Sequence, residues 1–166
     1  MKNMLFSIRA LSSVHCGVGQ GSSDIDLPTA RHAVSGHPLI PGSSLKGVLK
    51  DEFLNGKYYK EQYLGKVRAL FGGDPTDRES YASAISVGDA NLVALPTRSN
   101  FGTFAYLAST YTLQMFKDLC VRVGKKDCPA IPTFGQVDPQ NGHYKVALTT
   151  GSVLCAPGTK NVYLEE

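Results

Sequence analysis

Residues 36–54 read G-H-P-L-I-P-G-S-S-L-K-G-V-L-K-D-E-F-L, and the change of pattern inside this stretch decides how the chain is partitioned. Pro38 and Pro41 each remove a backbone donor and push the residue before them toward extended backbone. Ser43 and Ser44 follow, both favoured at helix starts. Leu45, Val48, Leu49 and Phe53 then fall on one apolar stripe at helical spacing. The stretch predicts an irregular segment ending near Pro41 and a helix beginning near Ser43 or Ser44. A helix start offers unpaired N–H groups. With Gly42 for an unusual turn, two hydroxyls and the Lys46 ammonium, the start suits an anion such as phosphate. It is not a Walker loop, because the G-x-x-x-x-G-K-[ST] spacing is missing. An ordinary serine-capped helix is the plainer reading of the same residues.

Working outward, residues 24–35 (D-I-D-L-P-T-A-R-H-A-V-S) add two Asp, an Arg, a His and another Pro, again without period. Upstream, S-S-V-H-C-G-V-G-Q-G-S-S is too rich in Gly and Ser for regular structure. Met4 to Leu11 alternates loosely and predicts a first strand. Downstream, Tyr58 to Phe71 predicts a second helix with Leu64, Val67, Leu70 and Phe71 inward and Gly72-Gly73 as its stop. D-P-T-D-R-E-S-Y predicts a polar loop. S-A-I-S-V-G-D-A-N-L-V-A-L-P predicts a strand kinked at Gly88, and R-S-N-F-G-T-F-A-Y-L a loop leading into a third helix. That helix is capped by Ser109 or Thr110, turns Leu113, Phe116, Cys120 and Val123 inward, and ends at Gly124. Asp138 to Tyr144 carries the Asn-Gly signal of a tight hairpin, and K-N-V-Y-L-E-E reads as a strand.

Composition sets the class. The chain has 166 residues, 42% apolar and 19% charged, with 17 Gly and 9 Pro. This suits one loop-rich α+β domain over residues 1–166 better than a helical bundle. No apolar run approaches the roughly 18–20 residues of a membrane span, and Arg9 interrupts the N-terminal apolar patch. A cytoplasmic protein without a membrane partner is expected. Cys16, Cys120, Cys128 and Cys155 form no C-x-x-C pair, so free thiols are expected and a zinc site is the weaker alternative. The net charge is only +3, yet six basic residues face three acidic ones between Ser43 and Leu70. This segment alone accounts for the excess. Solvated helix faces are the bland explanation.

Taken in order, H-C-G-V-G, D-L-P-T-A-R-H and G-H-P-L-I-P-G-S-S-L-K-G resemble the RAMP proteins of CRISPR interference complexes. The resemblance is closest to the backbone subunit of the type III-B (Cmr) effector. S-V-G-D-A-N-L-V-A-L-P-T-R-S and N-F-G-T-F-A-Y-L-A-S-T-Y-T-L-Q-M-F point the same way. The match covers most of Met1 to Leu119, thins, and returns at V-Y-L-E-E. It implies a ferredoxin-like (RRM-like) β-α-β-β-α-β fold. Family members continue past the equivalent of Glu166, so the resemblance implies an N-terminal part of that fold, incomplete at its C-terminus, with missing strands supplied by a partner or a neighbouring copy.

The resemblance also assigns roles. Asp26 matches the family's catalytic Asp and is expected to bind a divalent cation, Mg2+ or Mn2+, or to assist deprotonation of a ribose 2′-OH. Asp24 matches less well and is at most an auxiliary metal ligand. His15 matches a His close to the site, an auxiliary catalytic residue. Arg31 and His32 match a basic pair near the guide, while His37 has a structural role. Ser43, Ser44, Lys46 and Lys50 are expected to hold guide phosphates. Arg98 reaches a phosphate or pairs with Asp89. The implied partners are crRNA guide, target single-stranded RNA, other CRISPR effector subunits and further copies of the chain in a filament. The implied activity is metal-dependent cleavage of guide-paired target RNA by 2′-OH attack. Two alternatives stay open: a non-catalytic RNA-binding filament subunit, and a metal-independent endonuclease that processes precursor guide RNA with His15 or His32 as acid/base.

Overall fold

A computed structural model describes residues 2–19, 27–73, 82–134 and 144–165. Helices and short strands are mixed, as the α+β reading requires, in the order β1 (Leu39–Ile40), α1 (Gly42–Leu54), α2 (Leu64–Phe71), β2 (Ala90–Asn91), β3 (Leu95–Arg98), β4 (Phe104–Leu107), α3 (Thr110–Arg122). The chain forms two compact units. One is Ile8–Asn91; the other joins Met1–Ser7 to Leu92–Glu166.

In the Ile8–Asn91 unit, the proline-rich segments pair with one another. Val18 N–H donates to Pro28 O (2.9 Å) and Ala30 N–H to Cys16 O (2.7 Å). Leu39 N–H donates to Ala30 O (3.0 Å), and His32 N–H to His37 O (2.8 Å) across a turn closed by Gly36 N–H on His32 O (2.9 Å). β1 continues the ladder by pairing antiparallel with β2, Leu39 opposite Asn91. Ala30, 1% exposed, bonds through its N–H to one neighbour and through its carbonyl to the other. A small side chain is needed where backbone closes in from both sides.

α1 starts at Gly42 with Pro41 in the cap position, and no side chain of the local sequence caps it. The predicted Ser43 or Ser44 cap is therefore corrected. Asp89 Oδ1 accepts the Gly42 N–H instead (2.7 Å). A Cβ on Gly42 would lie 2.8 Å from Gly88 C and closer still to the Val87 carbonyl oxygen, so only glycine allows this approach. The predicted second helix is split into a 3-10 turn, Glu61–Tyr63, and α2. Val67 and Phe71 are buried as expected, whereas Leu70 is 43% exposed. Phe71 meets Phe53 of α1 with ring centroids 6.1 Å apart. This contact covers little of the α1 stripe: Val48 is 70% exposed and Gly42 is the buried residue of the helix. The apolar stripe read along α1 is therefore largely open among the described residues, with Leu49 39% and Phe53 37% exposed as well.

In the other unit, β3 and β4 form an antiparallel ribbon, Leu95 opposite Leu107 and Arg98 opposite Phe104. The loop expected between Arg98 and Leu107 is thus half strand. Gly102 (φ 72°) and Thr103 (φ 69°) turn the chain through left-handed backbone, and Phe104-Ala105-Tyr106-Leu107 alternates well enough to pair. α3 matches its prediction. Ser109 and Thr112 form a reciprocal cap, Cys120 is buried, and Gly124 follows at φ 75°. The terminal piece runs beside Arg98–Asn100: Glu165 N–H donates to Arg98 O and Asn100 N–H to Tyr163 O, both at 3.1 Å. Met4 to Leu11, expected as a strand, has no ladder partner among the described residues and Leu11 is 92% exposed. Without a partner, an extended segment has no inter-strand bonds to define it. The polar loop at 74–81 and all of the expected Asp138–Tyr144 hairpin except Tyr144 lie outside the described residues. All four cysteines are free.

Candidate nucleic-acid interface

The ladder of the Ile8–Asn91 unit positions most of the predicted site. Gly17 and Thr29 are bridge partners, which brings His15 beside the chain entering Thr29. His15 Nε2 lies 2.9 Å from Leu27 O, and Nδ1 lies 3.2 Å from Thr29 Oγ1. A carbonyl only accepts, so Nε2 carries a proton and donates to it, while Nδ1 shares a hydrogen bond with the threonine hydroxyl. Both ring nitrogens are then used, and His15 braces Leu27–Thr29. Leu27 itself is held at φ 54° directly before a proline, a conformation that costs a non-glycine residue about 1–2 kcal/mol. The side chain packs on Gly17, where an added Cβ would meet Leu27 Cβ at 3.0 Å. Backbone strain of this kind clusters at functional sites. Asp24 and Asp26 lie outside the described residues; Asp26 is the covalent neighbour of strained, braced Leu27.

Arg31 pairs with Pro38 in the ladder, and its Nη1 donates to Gly36 O (2.9 Å). A guanidinium has five N–H donors, and the side chain is exposed, so one fork serves the turn and also faces solvent. His32 Nδ1 accepts from Ser35 N–H at 3.2 Å, closing the same turn. The backbone of His37 contributes the carbonyl that pairs with His32, in keeping with a structural role.

Around α1, Ser43 and Ser44 are exposed at the first turn. Lys46 Nζ donates to Ser83 Oγ (2.6 Å), which donates on to Ile85 O (2.6 Å). Lys50 Nζ reaches Gly73 O at 3.4 Å. Both lysines are half-buried and tie the helix to the segments beside it. Asp89 was missed as a member of this group because it lies 47 residues from Gly42 and nothing local to either announces the contact. It places a carboxylate at the helix start, where an anion was expected. Arg98 belongs to the other unit. It pairs with Glu165 (3.8 Å) rather than with Asp89, and both side chains are well exposed, which makes the pair weak. Among the described residues, no group of three His, Cys, Asp or Glu side chains is arranged to hold a metal ion. No helix of the described residues is long and apolar enough to cross a membrane.

The sequence model of the RAMP superfamily matches residues 7–153. A Pyrococcus furiosus protein, CRISPR system Cmr endoribonuclease Cmr4, is 35% identical over 117 residues, or 70% of this chain and 39% of that protein. The crystal structure of oligomeric Cmr4 from Pyrococcus furiosus superposes with a TM-score of 0.54 at 35% identity, covering 65% of this chain and 39% of that one. A chain of the type III-B Cmr-beta complex bound to cognate target RNA, seen by cryo-EM, superposes with a TM-score of 0.52 at 26% identity, covering 66% and 40%. The chain therefore spans about two fifths of the length of these relatives.

Proposed function

Because the chain belongs to the RAMP superfamily, we propose that it binds guide RNA as a backbone subunit of a type III CRISPR effector and takes part in cutting the paired target RNA. The observation that carries this reading is the paired frame of residues 15–18 and 27–30. It brackets the stretch containing Asp26 and braces its neighbour Leu27 through His15. Similarity to a Cmr endoribonuclease over 70% of the chain supports the assignment. Guide pairing supplies sequence specificity, so the protein has only to hold backbone and shape. Arg31, His32, Ser43, Ser44, Lys46 and Lys50 are the proposed contacts to guide phosphates, with Arg98 a further one on the other unit. Other effector subunits and further copies of the chain are the proposed protein partners.

In the proposed reaction Asp26 takes the proton of a target 2′-hydroxyl. The 2′ oxygen bonds to the adjacent phosphorus, the bond from phosphorus to the 5′ oxygen breaks, and that oxygen takes a proton from water. The products are a 2′,3′-cyclic phosphate and a 5′-hydroxyl end. His15, with both ring nitrogens engaged, orients the loop rather than shuttling a proton. Asp26, with Asp24 auxiliary, is proposed to hold a divalent cation, Mg2+ or Mn2+, which would stabilise charge building up at the scissile phosphate.

The test is Asp26→Ala assembled with its partners and guide. It should bind target RNA normally and cut at least ~10²-fold more slowly, the scale of losing a general base. A 2′-deoxy target should resist the parent protein, and a chelator should report the cation. Normal cleavage by Asp26→Ala would remove Asp26 from the reaction; if the parent binds guide and target but never cuts, the non-catalytic filament reading replaces this one.

A further inference from the structure

The turn between α1 and α2 carries a group of residues that the guide site does not use. Residues 57–68 read K-Y-Y-K-E-Q-Y-L-G-K-V-R, with four basic side chains against the single acid Glu61. Lys60 Nζ and Lys66 Nζ both stand over the Tyr63 ring, 5.7 and 5.5 Å from its centroid, and Lys57 Nζ stands 5.9 Å from that of Tyr58. All three distances are within the range of cation–π attraction. Tyr58, Tyr59 and Tyr63 are 56%, 46% and 39% exposed. The backbone beneath is fixed: Glu52 Oε1 accepts the Lys57 N–H (3.1 Å), Tyr59 N–H bonds Gly56 O (3.1 Å), and Tyr58 leans on Phe53 at 6.0 Å.

A solvated charge run does not explain three tyrosines left open beside the lysines. Burying them would stabilise the unit, and their hydroxyls do not require a full ring to face water. An apolar partner does not explain the lysines, whose charge excess at this turn matches the +3 of the whole chain. A polyanion with π faces satisfies both. Bases stack on exposed rings, phosphates meet the ammonium groups, and sequence hardly matters because every base has a face. Stacking also demands unpaired bases, since a duplex hides those faces.

We infer that Lys57, Tyr58, Tyr59, Lys60, Tyr63 and Lys66 form a second RNA-contact surface, which holds an unpaired segment of RNA by base stacking on Tyr58 and Tyr59. Tyr63 serves as the post that keeps two ammonium groups together. This surface rests on the RNA-binding reading above but is separate from the contacts proposed there.

The test uses the full chain and a fluorescein-labelled oligouridylate followed by anisotropy, with an RNA duplex of equal length beside it. Tyr58→Leu/Tyr59→Leu should weaken oligouridylate binding by about 5-fold or more, from stacking of about 1–3 kcal/mol per base, and leave duplex binding unchanged. Lys60→Gln/Lys66→Gln should lower the salt slope by about 1.4, at roughly 0.7 per phosphate contact on a single strand. Thermal melts check that each variant folds. Thiouridine cross-linking of the parent chain, which needs no substitution, should give adducts within residues 57–66. Parent-like oligouridylate binding by the tyrosine variant, or cross-links confined to other residues, overturns the inference. If Arg31→Gln/Lys46→Gln still loses binding in that case, the guide-site reading survives. A parent chain that binds polyglutamate but no RNA overturns both and makes the surface a site for an acidic protein.

Discussion

Two glycines five positions apart in α1 should respond to alanine with opposite signs. Gly47 is exposed, and an added Cβ meets nothing within 4 Å. In a helix interior, alanine is favoured over glycine by about 0.5–1 kcal/mol through backbone entropy. Gly47→Ala should therefore stabilise. Gly42 meets backbone on the facing segment, with Gly88 C at 2.8 Å from the ideal Cβ. Neither side has a flexible side chain to give way, so the helix start must back off from Val87–Asp89 and stretch the Gly42–Asp89 hydrogen bond of 2.7 Å. Overpacking of this kind costs about 1–3 kcal/mol, and weakening the cap adds about 0.5–1 kcal/mol. At about 2–4 °C per kcal/mol for a chain of this size, Gly47→Ala should raise the melting temperature by roughly 1–4 °C. Gly42→Ala should lower it by roughly 3–16 °C. Circular dichroism melts of the two variants and the parent, run together, decide the matter. A Gly42→Ala protein as stable as Gly47→Ala would refute the close approach of α1 to Val87–Gly88 and with it the account of how the helix start is built.

Asp89→Ala should cost about 1 kcal/mol as a lost cap, and Asp89→Asn much less, because an amide oxygen still accepts the Gly42 N–H. Both should strengthen binding of phosphate-bearing ligands at the α1 start in an anisotropy titration, and equal loss of stability in the two would argue against the hydrogen bond. Lys46→Ala should lower the salt slope of RNA binding by about 0.7–0.9 whatever the sequence of the RNA; an unchanged slope would leave Lys46 only its contact with Ser83. Loss of hydration and the neighbouring Cys120 push the Cys128 thiol above its ordinary value. Less of it is thiolate at a given pH, so alkylation of Cys128 should lag behind that of a cysteine in a short peptide near neutrality and close the gap as pH rises, with Cys120, 2% exposed, the slowest of the four. Peptide mass mapping after timed alkylation would expose a different order.

What the sequence made legible were features written within a few residues. Ser109, Thr112 and Gly124 cap α3 from inside its own segment, and Gly72 ends α2 in the same way. Hidden features were those in which distant residues meet. The cap of α1 comes from Asp89, and Ser43 and Ser44, attractive by local preference, are left to solvent. Phe104–Leu107 reads as the run-up to a helix until its partner Leu95–Arg98 is known, because a strand is defined by its neighbour. Conversely, Met4–Leu11 alternates as a strand should and finds no ladder among the described residues. Within the candidate site, His15, Arg31 and His32 are singled out by the order of motifs that carries the family resemblance. Their contacts with Thr29, Gly36 and Ser35 came only with the pairing of residues 15–18, 27–32 and 37–39. The strain at Leu27 had no signal at all, since leucine is the last kind of residue one would place at positive φ.

The interleaving of the two units sets a timetable for biosynthesis. Ile8–Asn91 is an unbroken stretch, whereas the other unit needs Met1–Ser7 and Leu92–Glu166 together. On the ribosome, the ladder around Ala30 and the α1–α2 pair have all their parts once Asn91 has emerged. Met1–Ser7 must then wait several seconds, at ~5–20 residues per second, while the stretch from Leu92 onward is translated. A slow codon or a pause shortly after Asn91 would let the first unit close before the second has all its parts. The same pause placed inside Ile8–Asn91, before β2 exists to pair with β1, would hold a half-built ladder open.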